Sequence, residues 1–215
     1  MPCIDDLPED EVSAKLGKPE IGYVQRSDGK ALGPGVPEYI VRPAVYWPKP
    51  FPSLPSIKIV DFGESFFQSS PPQTLHTPLP VRAPEIIFRD HLDHRVDLWS
   101  LGCMLFELFV GQPPFDSFLI TPKILVGQMQ DMASDTIPER WRDSTDIFDG
   151  EFTAEPSGST LQEWLEEMYF DGERKEDLTK EDIVNLGQII GRLLRFEPSS
   201  RASVKDILND PWFEQ

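Results

Sequence analysis

"VRAPEIIFRDHLDHRVDLWSLGCMLFELFVGQPPFD", residues 81–116, holds the longest apolar run of the chain, Val96 to Val110. Its punctuation dictates a helix. Asp93 stands where a side-chain oxygen can cap the first orphan N–H groups, and Gly111 followed by Pro113 and Pro114 provides a stop. The spacing predicts a helix over about 94–110, apolar on nearly every side and therefore central and buried. With Asp97 and Glu107 inside it, the run is too short and too polar to span a bilayer.

Working outward, further helices are predicted over about 121–132, 159–169, 179–195 and 203–209, with a polar gap at 143–158. The acidic run 163–177, "EWLEEMYFDGERKED", reads as a solvated face and loop. Upstream, "KIVDFGESFF" (58–67) reads as a buried strand ending in Asp61-Phe62-Gly63, followed by a Ser/Pro/Thr-rich loop over 64–82. Residues 1–56 alternate acidic patches with Gly and Pro, which disfavours continuous helix or central strand. Within them "EYIVRPAVYW" (38–47) offers a short β-type run that Pro43 demotes to an edge strand or hairpin arm. "PFPSLPS" (50–56) carries a P-x-x-P pattern suited to an aromatic groove. The division expected is a Pro/Gly-rich, partly irregular spacer at 1–56 and one domain at 57–215.

The chain has 215 residues and a net charge of −17. That charge argues against a nucleic-acid or anionic-membrane surface and favours cationic partners. Cys3 and Cys103 lie far apart, with Cys103 inside the apolar helix, so neither a disulfide framework nor a zinc spacing is indicated. The acidic N-terminus lacks the basic start and apolar core of a secretory signal. The expectation is a soluble protein inside the cell, in cytoplasm or nucleus, without a membrane partner.

Four stretches occur in a telling order: the strand ending at Asp61-Phe62-Gly63, then Ala83-Pro84-Glu85, then the helix carrying Asp97 and Trp99, then "FEPSSRASVKDILNDPWF" (196–213) with Arg201. Together these resemble the C-terminal lobe of eukaryotic protein kinases over about residues 57–215. The acidic residue in "DFGES", the short activation loop, Arg82 before the A-P-E motif and the Pro-rich spacer look similar to SR-protein kinases, especially fungal ones. The resemblance implies a mostly α fold with a few short strands and no N-terminal lobe. It makes residues 61–85 an activation segment that includes Thr77 and Arg82. Asp61, Phe62 and Gly63 become the cofactor-binding triplet, with Asp61 as the ligand of the Mg2+ that bridges ATP phosphates. Glu85 and Arg201 match the family's buried ion pair, while Asp97 matches the aspartate that braces the catalytic loop. The implied reaction is transfer of the ATP γ-phosphate to protein Ser/Thr, with basic Arg/Ser-rich proteins as partners.

Phosphoryl transfer by this fold also needs a Gly-rich loop, a strand lysine, its helix glutamate, and a His-Arg-Asp loop with an Asn five residues later. His76, His91 and His94 all follow Asp61, and the only asparagines, Asn185 and Asn209, lie far downstream. Gly33-Pro34-Gly35 is an ordinary turn, and Lys15, Lys18 and Lys30 have no apolar strand around them. His94-Arg95-Val96-Asp97 mimics the catalytic motif but belongs to the helix after Ala83-Pro84-Glu85. No catalytic aspartate loop is present, and Pro78 occupies the place where most family members carry Thr, with Thr77 one residue earlier. Two expectations stand: a truncated kinase domain, inactive alone, or a non-catalytic pseudokinase-like module that binds a protein partner.

Overall fold

A computed structural model of the chain describes residues 8–43, 58–115, 120–144, 159–171 and 177–214. The described residues are mostly helical, with two short antiparallel strands, as the resemblance to a kinase helical lobe implied. The chain divides into two compact units, residues 1–60 and 61–215.

In the first unit, α1 (Glu9–Leu16) precedes a hairpin of β1 (Ile21–Tyr23) and β2 (Tyr39–Val41), in register Ile21 with Val41 and Tyr23 with Tyr39. β2 is the arm expected from residues 38–47; α1 and β1 are two short elements, unforeseen in the sequence, within the stretch expected to be partly irregular. The proline-rich arm 50–56 and Cys3 lie outside the described residues.

Residues 58–60 are a second correction. They form no strand, and Ile59 and Val60 are 82% and 73% exposed. A β-branched run supplies propensity only; without a neighbouring strand to take its N–H and C=O groups, it does not become a ladder.

In the second unit, α2 (Pro84–Ile87), α3 (Arg95–Val110), α4 (Pro122–Met132), α5 (Glu139–Arg142), α6 (Leu161–Phe170), α7 (Lys180–Leu193) and α8 (Val204–Leu208) surround one core. α3 packs against α7 and α6 and ends at Gly111, whose φ of 88° places its N–H on the Glu107 carbonyl at 2.7 Å. Its cap position is His94 rather than Asp93. Asp93 still serves the first turn, because its carboxylate accepts the Arg95 N–H at 2.8 Å. α3 is also less completely enclosed than its composition suggested: Met104 and Leu108, one turn apart, are 52% and 69% exposed.

The other helices start by local chemistry. Thr160 with Glu163, Thr179 with Asp182, and Ser203 with Asp206 form reciprocal capping boxes at α6, α7 and α8. Thr121 accepts from the Ile124 N–H with Pro122 in the first helical position of α4. Once started, α7 turns Ile183, Leu186, Ile189, Ile190 and Leu193 inward at helical spacing. The centre of the core is aromatic: Trp99 stacks on Phe115 with ring centroids 5.8 Å apart and lies 6.4 Å from Phe196, all three fully buried.

Candidate functional site

The Ala83-Pro84-Glu85 stretch is built as a helix start. Pro84 occupies the first position of α2, where a missing N–H costs nothing, and Glu85 faces inward. The turn after α2 places Arg89 at φ 54°, and the Asp90 N–H returns to the Glu85 carbonyl at 2.9 Å, closing the helix end. A side chain with a carboxylate is thereby aimed into the core.

It meets Arg201. The two nitrogens Nη1 and Nη2 donate to Glu85 Oε1 and Oε2 at 2.6 and 2.7 Å, in a pair with 0% and 1% side-chain exposure. The guanidinium is satisfied on its other sides too: Nη1 reaches the Arg95 carbonyl at 2.7 Å, Nε reaches the Arg195 carbonyl at 2.9 Å, and the group lies 5.3 Å over the Trp99 ring. Trp99 thus contributes a ring face to the ion pair as well as packing.

The segment before α2 is tied to the same helices. Arg82 donates through Nε and Nη2 to the Thr77 carbonyl at 2.8 and 2.6 Å, and Ser100 on α3 donates to the Val81 carbonyl at 3.0 Å. After α2, Asp90 accepts from Arg140 Nε and from the Trp141 indole, both at 2.7 Å, while Arg140 Nη1 reaches Glu197 at 2.6 Å. Phe88 stacks on Trp141 at 4.7 Å. Burial by itself raises the Asp90 carboxyl, but the hydrogen bonds from Arg140, the His91 N–H and Trp141 outweigh it and hold Asp90 below the ordinary carboxylate range. Sequence reasoning missed Ser100, Asp90, Arg140 and Trp141, because no local pattern links residues 19 to 57 positions apart.

Asp61 is placed differently. It is exposed, with φ 65°, a left-handed conformation that Asp tolerates better than most residues, and Phe62 beside it is 68% exposed. Glu64, three residues on, accepts the His76 N–H at 3.0 Å and contacts its ring at 3.2 Å, which folds the loop back on itself. The His76 N–H and ring lower the Glu64 carboxyl. Asp97, matched to a loop-bracing role, has an exposed side chain at the start of α3. The structure therefore joins Glu85, Arg201 and Trp99 in one buried cluster, joins Arg82 to Thr77, and leaves Asp61 and Asp97 on the surface.

Whether these residues fit a metal–nucleotide group is a question of donor count. Among the described residues, no three His, Cys, Asp or Glu side chains come together as metal ligands. A hard dication bridging phosphates takes one or two carboxylates plus substrate oxygens held in place by other clamps. Among the described residues Asp61 offers such a group one carboxylate.

Comparison with known proteins agrees with this geometry. Residues 52–213 match the protein kinase domain. The mouse dual specificity protein kinase CLK1 is 29% identical over 167 residues, covering 74% of this chain and 33% of its own. The Arabidopsis thaliana serine/threonine-protein kinase AFC2 is 25% identical over 191 residues, covering 83% of this chain and 43% of its own. The Saccharomyces cerevisiae serine/threonine-protein kinase RCK2 is 27% identical over 158 residues, 73% of this chain and 19% of its own. The chain spans a third of the length of the mouse protein. An A-P-E helix clamped by a buried Glu–Arg pair onto an apolar central helix, with a sequence match over three quarters of the residues, shows that the chain belongs to the protein kinase domain family.

Proposed function

We propose that residues 61–214 are the helical, substrate-side lobe of an ATP- and Mg2+-dependent serine/threonine kinase of the SR-protein kinase type, and that these 215 residues transfer no phosphate by themselves. The observation that carries this reading is a contrast within one segment: Glu85 is fixed by a buried two-pronged pair, whereas Asp61 presents an exposed carboxylate that belongs to no cluster of three ligand side chains among the described residues. Phosphoryl transfer by this family depends on positioning and on charge stabilisation from several groups at once. The sequence holds no His-x-Asp loop before Asp61 to orient a substrate hydroxyl, and no Gly-rich strand and lysine to hold the phosphates. The lobe therefore supplies scaffold and a substrate surface. An acidic chain of net charge −17 suits basic, Arg/Ser-rich protein substrates.

No helix among the described residues is long and apolar enough to cross a membrane. A compartment inside the cell, cytoplasm or nucleus, accords with substrates of that kind.

A second reading, a non-catalytic module that captures a protein partner, is favoured by the apolar side chains left outside, Met104 and Leu108 on one face of α3 and Phe62 and Phe67 in the segment before α2. One assay tests the inactivity on which both readings rest. The purified chain is given Mg2+-ATP and an Arg/Ser-repeat peptide; the expected result is no transfer above the enzyme-free control. Transfer that disappears in Asp61→Ala would overturn both readings and show that the lobe is catalytically sufficient.

A further inference from the structure

The hairpin of the first unit has two open edges. Its hydrogen-bonded rungs are fixed by the Val24 N–H, which donates to the Glu38 carbonyl at 3.0 Å, and by the Arg42 N–H, which donates to the Glu20 carbonyl at 2.9 Å. Gly22 opposite Ile40 is the rung between them. In an antiparallel ladder the alternate residues turn their N–H and C=O groups outward, here Ile21 and Tyr23 on β1 and Tyr39 and Val41 on β2. Among the described residues no third strand takes either edge. Every residue of both strands is exposed, Ile40 to 63%. A two-stranded ribbon is the least stable form of sheet, and its unpaired edges are templates for another strand.

The two edges are not alike. The β2 stretch Glu38-Tyr39-Ile40-Val41-Arg42 is complementary to itself when a second copy runs antiparallel to it about Ile40. Glu38 then faces Arg42 of the second copy at both ends of the seam, Tyr39 faces Val41, and Ile40 faces Ile40. Opposite charges and an aromatic beside a β-branched residue are favourable cross-strand pairs. The outward N–H and C=O groups of Tyr39 and Val41 fall into register as hydrogen-bonded rungs. Prolines fix that register, because Pro37 and Pro43 stand three residues on either side of Ile40. A slip of two residues either way puts a proline, which has no N–H to give, into a rung and sets Glu38 or Arg42 against Ile40. The β1 edge lacks this symmetry: about Gly22, Glu20 would face Val24.

Charge does not oppose the contact. Over residues 20–42, Glu20, Asp28 and Glu38 balance Arg26, Lys30 and Arg42, so the −17 of the chain lies outside the hairpin. Arg42 gives Glu20 one nitrogen, Nη1 at 3.0 Å, with both side chains largely exposed, which leaves the rest of its fork open to a second carboxylate.

We propose that the chain forms a reversible homodimer through β2, in a four-stranded antiparallel sheet of order β1-β2-β2-β1. Each hairpin thereby gains the neighbour that an isolated pair of strands lacks. The short seam is smaller than a standard interface of about 1,600 Å2, so the association is weak. It requires neither Asp61 nor phosphotransfer.

Sedimentation equilibrium of the full chain and a cross-link test this. The parent is expected to show a monomer–dimer equilibrium that Glu38→Arg, which sets arginine against arginine, weakens about tenfold or more. Arg42→Glu sets glutamate against glutamate and weakens it likewise, whereas a mixture of the two variants restores a dimer because each meets the opposite charge. Ile40→Cys in a Cys3→Ser chain, where Cys103 is buried, is expected to give a disulfide-linked dimer on mild oxidation. Facing residues of a non-hydrogen-bonded rung have Cα atoms about 4.5 Å apart, within disulfide range. Tyr23→Cys, more exposed but on the far strand, is expected to stay unlinked. A chain that stays monomeric up to about 1 mM overturns the proposal and leaves the edge to an extended segment of another protein. So does a dimer that Glu38→Arg leaves intact, or a Tyr23→Cys chain that links as fast as Ile40→Cys. The cross-link does not involve Arg42, so it decides the matter even where loss of the Glu20 pair disturbs the hairpin of Arg42→Glu.

Discussion

Glu85 and Arg201 meet through two parallel hydrogen bonds, 2.6 and 2.7 Å long, across 116 residues of sequence. The pair clamps α2 onto the segment that follows α7, and the same guanidinium holds the backbone of Arg95 at the start of α3 and of Arg195. One side chain thus fixes three elements. Two desolvated charges are worth having there only because every guanidinium nitrogen has an acceptor.

Removing one partner leaves the other charge buried and uncompensated, which typically costs about 3–5 kcal/mol. Arg201→Leu is therefore expected to lower the unfolding free energy by that amount. Arg142→Leu, on an exposed side chain of α5, is expected to stay within about 0.5 kcal/mol of the parent. Urea unfolding of the two variants checks this, and equal midpoints would contradict the role assigned to the pair.

Acid stability follows from Asp90 and Glu197, which share Arg140. Burial raises the Glu197 carboxyl, but hydrogen bonds from Arg140 and Ser199 outweigh it, so both carboxyls lie below their ordinary values in the folded chain. A depressed carboxyl takes up its proton later than the unfolded chain does as pH falls. Its stabilisation is complete above the ordinary carboxylate range, about pH 4, and is lost as pH drops through and below it. The unfolding free energy should change little through Asp90 and Glu197 between pH 7 and 5 and fall below about pH 4. Asp90→Asn keeps a carbonyl acceptor for the Trp141 indole but removes the titration, so its acid-side decline should be shallower than the parent's. Parallel declines in a pH series of melting curves would exclude Asp90 as a contributor.

How far the sequence foretold this depends on where each signal lies. α3 was legible because an apolar run, Gly111 and two following prolines all act within a few residues of one another. The Glu85–Arg201 cluster was legible only through the order of family motifs; nothing local joins two residues 116 apart. Residues 58–60 misled because strand propensity is a property of the segment, whereas a strand is a property of a pair. α1 went unseen although Pro8 and an acidic first turn mark its start, because the surrounding Gly and Pro outweighed a helix of 8 residues. Asp61 was legible as a motif, but its exposure was not, since exposure depends on which other segments surround it.

Cys103 is fully buried on α3, and that burial pushes its thiol far above the ordinary value. Only the thiolate attacks a disulfide reagent, so the folded chain should protect this residue twice, by access and by ionisation. In a Cys3→Ser chain, a chromogenic aromatic disulfide at pH 8 is expected to release no thiolate from the native protein within minutes. In guanidinium chloride it should release one equivalent at once. Rapid release from the native chain would show that the centre of α3 opens readily.

Two glycines in helices separate backbone freedom from packing. Gly102 lies where α3 crosses the end of α7; a Cβ built there falls 2.8 Å from Leu194 Cδ2 and 3.1 Å from Leu193 Cβ, and Leu193 and Leu194 are fully buried and cannot swing away. Overpacking of this kind costs about 1–3 kcal/mol, against about 1 kcal/mol gained from the better helix propensity of alanine, so Gly102→Ala should be destabilising by up to about 2 kcal/mol. Gly127, in the middle of α4, has no atom within 4 Å of its built Cβ. There only the propensity acts, and Gly127→Ala should raise stability by about 0.5–1 kcal/mol. The opposite signs are the prediction. A Gly102→Ala chain as stable as Gly127→Ala in urea titration would mean that α3 and α7 are not in the close contact that places Arg201 under Trp99.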